Sequence, residues 1–127
     1  MLIMNIRVSM EMNSNSGQTE SPRVGVIIPV YNVEKTIGSV LESLSTSLEV
    51  SDLEILIIDN DSSDNTLRLA KLCLRENFKL KSKVTILKSS RNYGYGCSIK
   101  TGFDYFLSND VTYIMIIHGD YQVEPAW

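Results

Sequence analysis

The residues best suited to chemistry lie near the end of the chain, at His118, Asp120 and Gln122. They follow the apolar run from Val111 to Ile117, which predicts a buried strand. Alternate residues of a strand point to the same side, so a continued strand would bring all three side chains together. Carboxylate and amide oxygens suit Mg²⁺ or Mn²⁺, whereas imidazole suits Mn²⁺ better than Mg²⁺. The spacing favours a divalent-metal site completed by diphosphate and water, although a lone histidine is as often a satisfied core residue.

A second acidic segment follows the apolar run from Leu53 to Ile58. Asp59 stands at the end of this predicted strand, where a carboxylate can accept hydrogen bonds from a ribose or a base N–H. Asp61 and Asp64 come next, in a polar loop where Asx turns and helix caps use the same residue types. The pattern therefore favours a ligand contact for Asp59 and loop capping for Asp61 and Asp64, with Ser63 as the other candidate cap.

The segment from Arg91 to Gly96 indicates a flexible loop that opens a helix. Its glycines, including Gly94, would let the backbone approach a ligand closely, but a plain tight turn has the same composition. Lys100 comes one turn into the predicted helix. It either faces bound phosphates or is solvated.

Four apolar runs predict the strands that must position these groups: Val24–Ile28, Leu53–Ile58, Val84–Leu87 and Val111–Ile117. Three helices are predicted between them, with apolar faces formed by Ile37, Val40, Leu41, Leu44 and Leu48, by Leu67, Ala70 and Leu74, and by Ile99, Phe103 and Phe106. Strand and helix alternate along the chain. This order predicts an α/β fold, with a mostly parallel sheet of about four strands and helices on both faces.

The predicted topology has a direct consequence for function. In a parallel sheet the carboxyl ends of all strands lie at one edge, where ligands bind. The segments Pro29–Tyr31, Asp59, Ser89–Gly96 and His118–Asp120 should therefore converge there. Helix N-termini point at the same edge and favour anionic groups.

Composition restricts the class of protein and of partner. The chain has 127 residues, of which 43% are hydrophobic, and this is enough for one domain with a sizeable core. A net charge of −3 argues against nucleic acid as a partner. No apolar run approaches the roughly 18 residues of a transmembrane helix, and the start lacks the features of a signal peptide. We expect a disordered leader over residues 1–22 and one domain over residues 23–127. Cys73 and Cys97 lack metal-ligand spacing and are expected to be reduced thiols in a cytosolic chain.

Four motifs occur in one order and register along residues 23–127. They are Val26-Ile27-Ile28-Pro29-Val30-Tyr31-Asn32, Glu54 to Thr66, Arg91-Asn92-Tyr93-Gly94-Tyr95-Gly96, and His118-Gly119-Asp120-Tyr121-Gln122-Val123-Glu124-Pro125. Together they resemble the family 2 glycosyltransferases of the GT-A fold, the group that includes dolichol-phosphate mannose synthase-like enzymes. The resemblance covers the nucleotide-binding half of the family domain and implies its Rossmann-like fold.

The resemblance implies a hexosyltransferase-like enzyme that uses a UDP-, GDP- or dTDP-sugar as donor. The acceptor would be a polyprenyl phosphate or a glycan, as in the synthesis of cell-envelope polysaccharides. The location would be cytoplasmic, at the inner face of a membrane if the acceptor is a lipid. The substrate-binding residues implied are Pro29, Tyr31, Glu34, Asp59, Asp61, Arg91, Gly94, Lys100 and His118. Asp120 and Gln122 would bind Mg²⁺ or Mn²⁺, and the metal would stabilise charge on the leaving diphosphate.

The chain departs from the family pattern at several positions. Asn60 replaces a common second acid, Asp61 a glycine, and Val33 a frequent glutamate, with Glu34 next. His118 replaces the first acid of the metal motif, which should weaken Mg²⁺ binding and favour Mn²⁺, or remove the need for metal. The catalytic base and the acceptor half are expected beyond Trp127. Without that half, the strand at Val111–Ile117 is expected to be an exposed edge.

Two other interpretations differ in class. The first is a truncated or degenerate nucleotide-binding domain without turnover, which would show affinity and no transfer. The second is an unrelated doubly wound protein, such as a receiver domain or a nucleotidyltransferase. Receiver domains need an acid pair after the first strand, and nucleotidyltransferases need a glycine-rich basic loop there. The segment Val30-Tyr31-Asn32 provides neither.

Overall fold

The computed structural model describes residues 2–5, 21–47 and 52–120. In chain order, the elements of these residues are β1 Leu2–Asn5, β2 Val24–Val30, α1 Ile37–Ser47, β3 Leu53–Asp59, α2 Thr66–Glu76, α3 Phe78–Lys81, β4 Val84–Lys88, α4 Tyr95–Leu107 and β5 Tyr113–Ile116. All four strands and all three helices predicted from hydrophobic periodicity are present. The short helix α3 was not predicted from the sequence. Among the described residues, none of the helices combines the length and the apolar character needed to span a membrane.

The described strands form one sheet in the order β1-β5-β2-β3-β4. Strands β2 to β5 are parallel, and β1 pairs antiparallel with β5. The predicted α/β fold with a mostly parallel sheet is confirmed. The expectation of a disordered leader is wrong for Leu2–Asn5, which pair with residues 113–116, and the rest of that leader up to residue 20 lies outside the described residues. The expectation of an exposed β5 edge is also wrong, because β1 covers it.

Strand β2 runs past Pro29, where the sequence analysis placed its end. Proline has no N–H to donate to a neighbouring strand. The backbone nitrogen of Pro29 faces β5 and not β3. Strand β5 pairs with β2 only as far as Ile27, so no partner strand needs a donor from Pro29. The strand therefore continues to Val30 and pairs with β3 as far as Asp59.

The core has two layers, one on each face of the sheet. On one face α1 and α2 pack against Val26, Ile28, Ile55 and Ile57, all of which are buried. On the other face α4 packs against Ile27, Leu56 and Ile58 through Phe106. Alternate residues of β2 and β3 thus face opposite layers, as expected for strands buried on both sides.

The contact between α4 and the sheet depends on two glycines. A Cβ on Gly25 would lie 2.7 Å from the ring of Phe106, and a Cβ on Gly102 would lie 2.6 Å from Ile27 Cδ1. Neither position has room for a methyl group without movement of a buried side chain. This close approach holds α4, and therefore its N-terminus, against the carboxyl ends of the strands.

Candidate functional site

A cleft of about 300 Å³ opens at the carboxyl edge of the parallel strands. It is lined by Pro29, Val30, Tyr31, Val33, Asn60, Asn92, Gly94, Tyr95, Ser98, His118, Gly119 and Asp120. The lining comes from the ends of β2 and β3, the loop before α4, the first turns of α4 and the segment after β5. The convergence predicted from the topology is therefore present in the structure.

Five of the residues predicted to form a site line the cleft: Pro29, Tyr31, Gly94, His118 and Asp120. Tyr31 is 48% exposed and offers a ring to a ligand. The ring of His118 is stacked on that of Tyr95, with centroids 5.5 Å apart and planes inclined by 17°. The cleft thus combines aromatic surface with a carboxylate and the N-terminal turn of a long helix.

The segment after β5 differs from the predicted strand. Strand β5 ends at Ile116, and Gly119 and Asp120 lie in a turn. Thr36 Oγ1 donates to the carbonyl of Gly119 at 2.6 Å, and a Cβ on Gly119 would lie 2.7 Å from Val30 Cγ1. The predicted continuation of the strand through residues 118–120 is therefore wrong, and the turn instead brings His118 and Asp120 to the same cleft. Gln122 lies outside the described residues.

Asp59 ends β3 and is fully buried next to the cleft, without lining it. Its Oδ2 accepts the backbone N–H of Ser62 at 3.2 Å. Its Oδ1 is buried and has no hydrogen-bond partner among the residues that the structure describes. A buried carboxylate oxygen without a donor is costly, so a donor from a ligand or water would be favourable here.

Glu34 lies outside the cleft lining and helps to join the loop after β2 to the start of α2. Its Oε2 accepts the backbone N–H of Asn65 at 3.0 Å, and its own N–H donates to Asp64 Oδ2 at 3.2 Å. Asp64 Oδ1 accepts the N–H and the hydroxyl of Thr66. Burial raises the pKa of Asp64. The hydrogen bonds from Thr66 and Glu34 together lower this pKa by more than burial raises it, so the pKa lies below its usual value. Asp64 therefore stabilises the loop before α2 through an Asx-type turn, as the loop-capping interpretation predicted. The prediction that Ser63 or Asp64 is the N-cap of this helix is wrong, because the N-cap is Asn65.

Three other predicted residues also lie outside the cleft lining. Asp61 has a left-handed backbone with φ of 64° and lies 4.0 Å from the Lys88 ammonium. The Arg91 guanidinium lies 4.7 Å from the ring centroid of Tyr93. Lys100 is exposed on α4.

Four polar or aromatic residues of the lining were not among the predicted site residues: Asn60, Asn92, Tyr95 and Ser98. Of these, Asn92 and Tyr95 lie in the segment Ser89–Gly96, which was predicted to reach this edge. Asn60 is only 5% exposed, and its side chain bonds to Asn92 and to the backbone of Tyr93. Asn60 could have been found from its place directly after Asp59, at the same strand end. Tyr95 and Ser98 could have been found from their places in the first turn of the helix that opens at the site.

The donor set suits a divalent metal only in part. Among the described residues, no group of three or more histidine, cysteine or acidic side chains is placed to hold a metal ion. His118 and Asp120 bring one imidazole and one carboxylate to the cleft, a pair that suits Mn²⁺ better than Mg²⁺. Further oxygen ligands would have to come from a bound diphosphate, from water or from residues beyond Asp120.

Comparison with known proteins shows the family. The family model described as glycosyl transferase family 2 matches residues 25–127. The chain therefore belongs to glycosyl transferase family 2, a family of transferase enzymes.

Individual relatives agree with this assignment. The chain is 31% identical over 105 residues to undecaprenyl-phosphate 4-deoxy-4-formamido-L-arabinose transferase of Salmonella paratyphi B, covering 81% of this chain and 30% of that protein. It is 29% identical over 102 residues to an uncharacterized glycosyltransferase, YkcC, of Bacillus subtilis, covering 79% and 29%. The chain thus spans about three tenths of the length of the curated relatives that it matches.

Solved structures share the fold. The mannosyltransferase PcManGT of Pyrobaculum calidifontis, in complex with GDP-Man and Mn²⁺, superposes with a TM-score of 0.67 at 23% identity, covering 80% of this chain and 28% of that one. Staphylococcus aureus TarS, residues 1–349 in complex with UDP-GlcNAc, gives 0.61 at 22% identity, covering 77% and 26%. These neighbours confirm the GT-A-type, Rossmann-like architecture.

Proposed function

We propose that this chain is the donor-binding part of a glycosyltransferase that moves a sugar from a nucleoside-diphosphate sugar to a lipid-phosphate or saccharide acceptor. The observation that carries the proposal is the cleft at the carboxyl edge of the sheet, where Tyr31, the Tyr95–His118 stack and Asp120 come together. Membership of the family supports the reaction class.

Each part of the cleft matches one part of such a donor. The apolar surface of Pro29 and the exposed ring of Tyr31 suit a nucleoside. The N-terminal turn of α4 presents backbone N–H groups and a positive dipole end, which suit a diphosphate. Asp59 lies beside the cleft and does not line it, but its buried Oδ1 lacks a hydrogen-bond donor among the described residues and would suit a base N–H. Arg91 and Lys100, both exposed, would act only once a larger ligand extends beyond the cleft.

We propose Asp120, with His118 and Gln122, as the residues that would hold Mn²⁺ against the diphosphate. The metal would neutralise the negative charge that builds on the leaving diphosphate. PcManGT, which has a similar fold, is in complex with Mn²⁺, and this supports the use of a divalent metal in the proposal.

The identity of donor and acceptor is part of the same proposal. Complexes of similar folds hold GDP-Man or UDP-GlcNAc, so UDP- and GDP-sugars are the first donors to test, with dTDP-sugars next. The name of the Salmonella relative supports a polyprenyl-phosphate acceptor, which would place the reaction at the cytoplasmic face of a membrane. We expect the acceptor site and the catalytic base to lie outside the 127 residues, because the relatives are about three times as long.

A titration of Mn²⁺ against the isolated chain, with free Mn²⁺ followed by its EPR signal, tests the metal assignment. Asp120→Asn should bind Mn²⁺ more weakly than the natural chain in the presence of UDP. Asp104→Asn, which removes an exposed acid on α4 outside the cleft lining, is the matched control and should bind like the natural chain. Equal binding by the natural chain and Asp120→Asn would exclude Asp120 as a ligand.

The alternative function is a nucleotide-binding domain without turnover. The observation that favours it is His118 at the position where the family has the first acid of the metal motif. Release of free sugar from UDP-GlcNAc or GDP-mannose, measured without an acceptor, separates the two functions, because transfer to water needs the donor and metal site and not the acceptor half expected outside the 127 residues. Nucleotide affinity with no release of sugar would support the binding domain, whereas release of free sugar would support the transferase.

A further inference from the structure

The loop that leads into α4 is held by two amide side chains, Asn60 and Asn92. Asn60 Nδ2 donates to Asn92 Oδ1 at 2.7 Å. Asn60 Oδ1 accepts the backbone N–H of Tyr93 at 3.0 Å, and Asn92 Oδ1 accepts the N–H of Gly94 at 2.8 Å. Two consecutive backbone donors of the loop are thus satisfied by this amide pair.

The amide pair is anchored to the sheet through Asn60. Asn60 follows β3 directly, is 5% exposed, and donates its backbone N–H to the carbonyl of Val30 at 2.9 Å. A buried side-chain amide with satisfied partners is rigid, since breaking one bond leaves another group unpaired. The position of Asn92 is therefore set by the ends of the two central strands.

The loop in turn sets one wall of the cleft. Gly94 has φ of 87°, a conformation that glycine adopts readily, and α4 begins at the next residue, Tyr95. Gly94, Tyr95 and Ser98 all line the cleft, and Tyr95 is stacked on His118. Any change in the path of residues 92–94 would therefore move Tyr95 and the first N–H groups of α4.

We propose that Asn60 and Asn92 are positioning residues for a nucleoside diphosphate, an inference that rests on the proposed function. They act through the loop by fixing where Gly94 and Tyr95 meet the ligand. The amide at position 60 is specifically required, because an ionised carboxylate of the same shape has no hydrogen to donate to Asn92 Oδ1. If Asn92 turned its own NH₂ group towards such a carboxylate, the Gly94 N–H would lose its acceptor.

The test uses the 127-residue chain and its Asn60→Asp variant. Affinity for UDP and for GDP is measured by calorimetry with Mn²⁺, and hydrogen exchange of the Tyr93 and Gly94 amides is measured by NMR without nucleotide. We expect the variant to lose roughly tenfold in affinity, equivalent to about 1.4 kcal/mol, and its Gly94 amide to exchange faster. Asn109→Asp is the matched control, because Asn109 Nδ2 donates to the Tyr105 carbonyl at 2.8 Å beyond the other end of α4. It should leave both readouts unchanged.

The Asn92→Ala variant distinguishes loss of positioning from a folding defect caused by substitution of the buried Asn60. Asn92 is exposed, so its truncation leaves the core intact. It should reproduce both effects, and the double variant should be no weaker than the weaker single variant. Faster exchange at Gly94 with unchanged affinity would overturn the positioning role. Unchanged exchange in both single variants would show that the amide pair does not hold the loop. If the natural chain binds neither UDP nor GDP, both the proposed function and the positioning role are wrong. The exchange data still show whether the amide pair holds the loop, so the two failures can be distinguished.

Discussion

The rings of Tyr95 and His118 lie nearly parallel, with centroids 5.5 Å apart. Tyr95 begins α4 and His118 follows β5, so the stack joins the helix to the segment that carries Asp120. A face-to-face contact leaves the ring nitrogens of His118, which lie in the ring plane, available to a ligand. The contact therefore shapes the cleft and leaves the imidazole of His118 able to bind a ligand.

We expect the Tyr95 ring to contribute to nucleotide binding. Tyr95→Ala removes an exposed ring from the wall of the cleft. It should weaken UDP binding by about 0.5–1.5 kcal/mol, the usual range for the contact of a ring with an aromatic base, or roughly two- to tenfold in Kd. Tyr95→Phe keeps the ring and should bind almost as well as the natural chain. Calorimetry on the three proteins checks this, and an Ala variant that binds as tightly as the natural chain would show that the ring is dispensable.

The close approach of α4 to the sheet predicts a stability effect at Gly25. A Cβ there would meet three atoms of the buried Phe106 ring at 2.7–2.9 Å, so Gly25→Ala should lower the free energy of unfolding by about 1–3 kcal/mol. Gly38→Ala is the control, because its Cβ would lie 3.6 Å from Cys73 Sγ and alanine favours the helix. Urea unfolding measures both. Equal stability of Gly25→Ala and the natural chain would contradict the tight packing.

A hydrogen bond near the amino ends of the strands, on the side away from the cleft, predicts a pH-dependent contribution to the free energy of unfolding. Tyr105 donates its hydroxyl to Glu54 Oε1 at 2.7 Å, and this bond raises the pKa of Tyr105 above its usual value near 10. A raised folded-state pKa means that the stabilisation is complete below pH 10 and is lost as the pH rises through the folded-state pKa.

Tyr105→Phe should therefore cost about 1 kcal/mol of unfolding free energy near neutral pH and less in alkali. Urea unfolding of both proteins at about pH 8 and about pH 11 measures the difference. A difference that stays constant or grows with pH would contradict the assignment of the bond.

The two cysteines should differ in reactivity. Cys97 is exposed in the first turn of α4, whereas Cys73 is half-buried on α2. Burial raises the pKa of Cys73, and the nearby carboxylates of Glu76 and Glu42 raise it further, so less of its reactive thiolate is present at a given pH. Iodoacetamide at about pH 8 should modify Cys97 first, as measured by peptide mass spectrometry. Faster modification of Cys73 would show that its part of α2 opens readily.

The sequence predicted the main layers of the fold because hydrophobic periodicity is a local signal. The runs at Val24–Ile28 and Leu53–Ile58 are continuous and apolar, and the structure buries them on both faces. Strand β1 was missed because four residues carry little periodicity, and their partner, β5, lies at the other end of the chain.

The cleft was predicted in its location and only partly in its residues. Topology alone brings Tyr31, Gly94 and Asp120 to one edge. Asn60 and Asn92 are isolated amides whose role appears only when β3 and the loop before α4 meet. Glu34 was assigned to a ligand on the strength of the family pattern, whereas its carboxylate accepts a backbone N–H at the start of α2. Loop hydrogen bonds of this kind depend on tertiary contacts, which no local pattern encodes.

The most direct test of the central claim is an NMR titration of UDP and of GDP into the 127-residue chain, followed by backbone amide shifts. The account predicts saturable shifts at Gly94, Tyr95, Ser98 and Gly119, which line the cleft, and none at Asn109 beyond the far end of α4. Absence of shifts with both nucleotides, or shifts confined to residues outside the cleft, would contradict the assignment of this edge as the donor site.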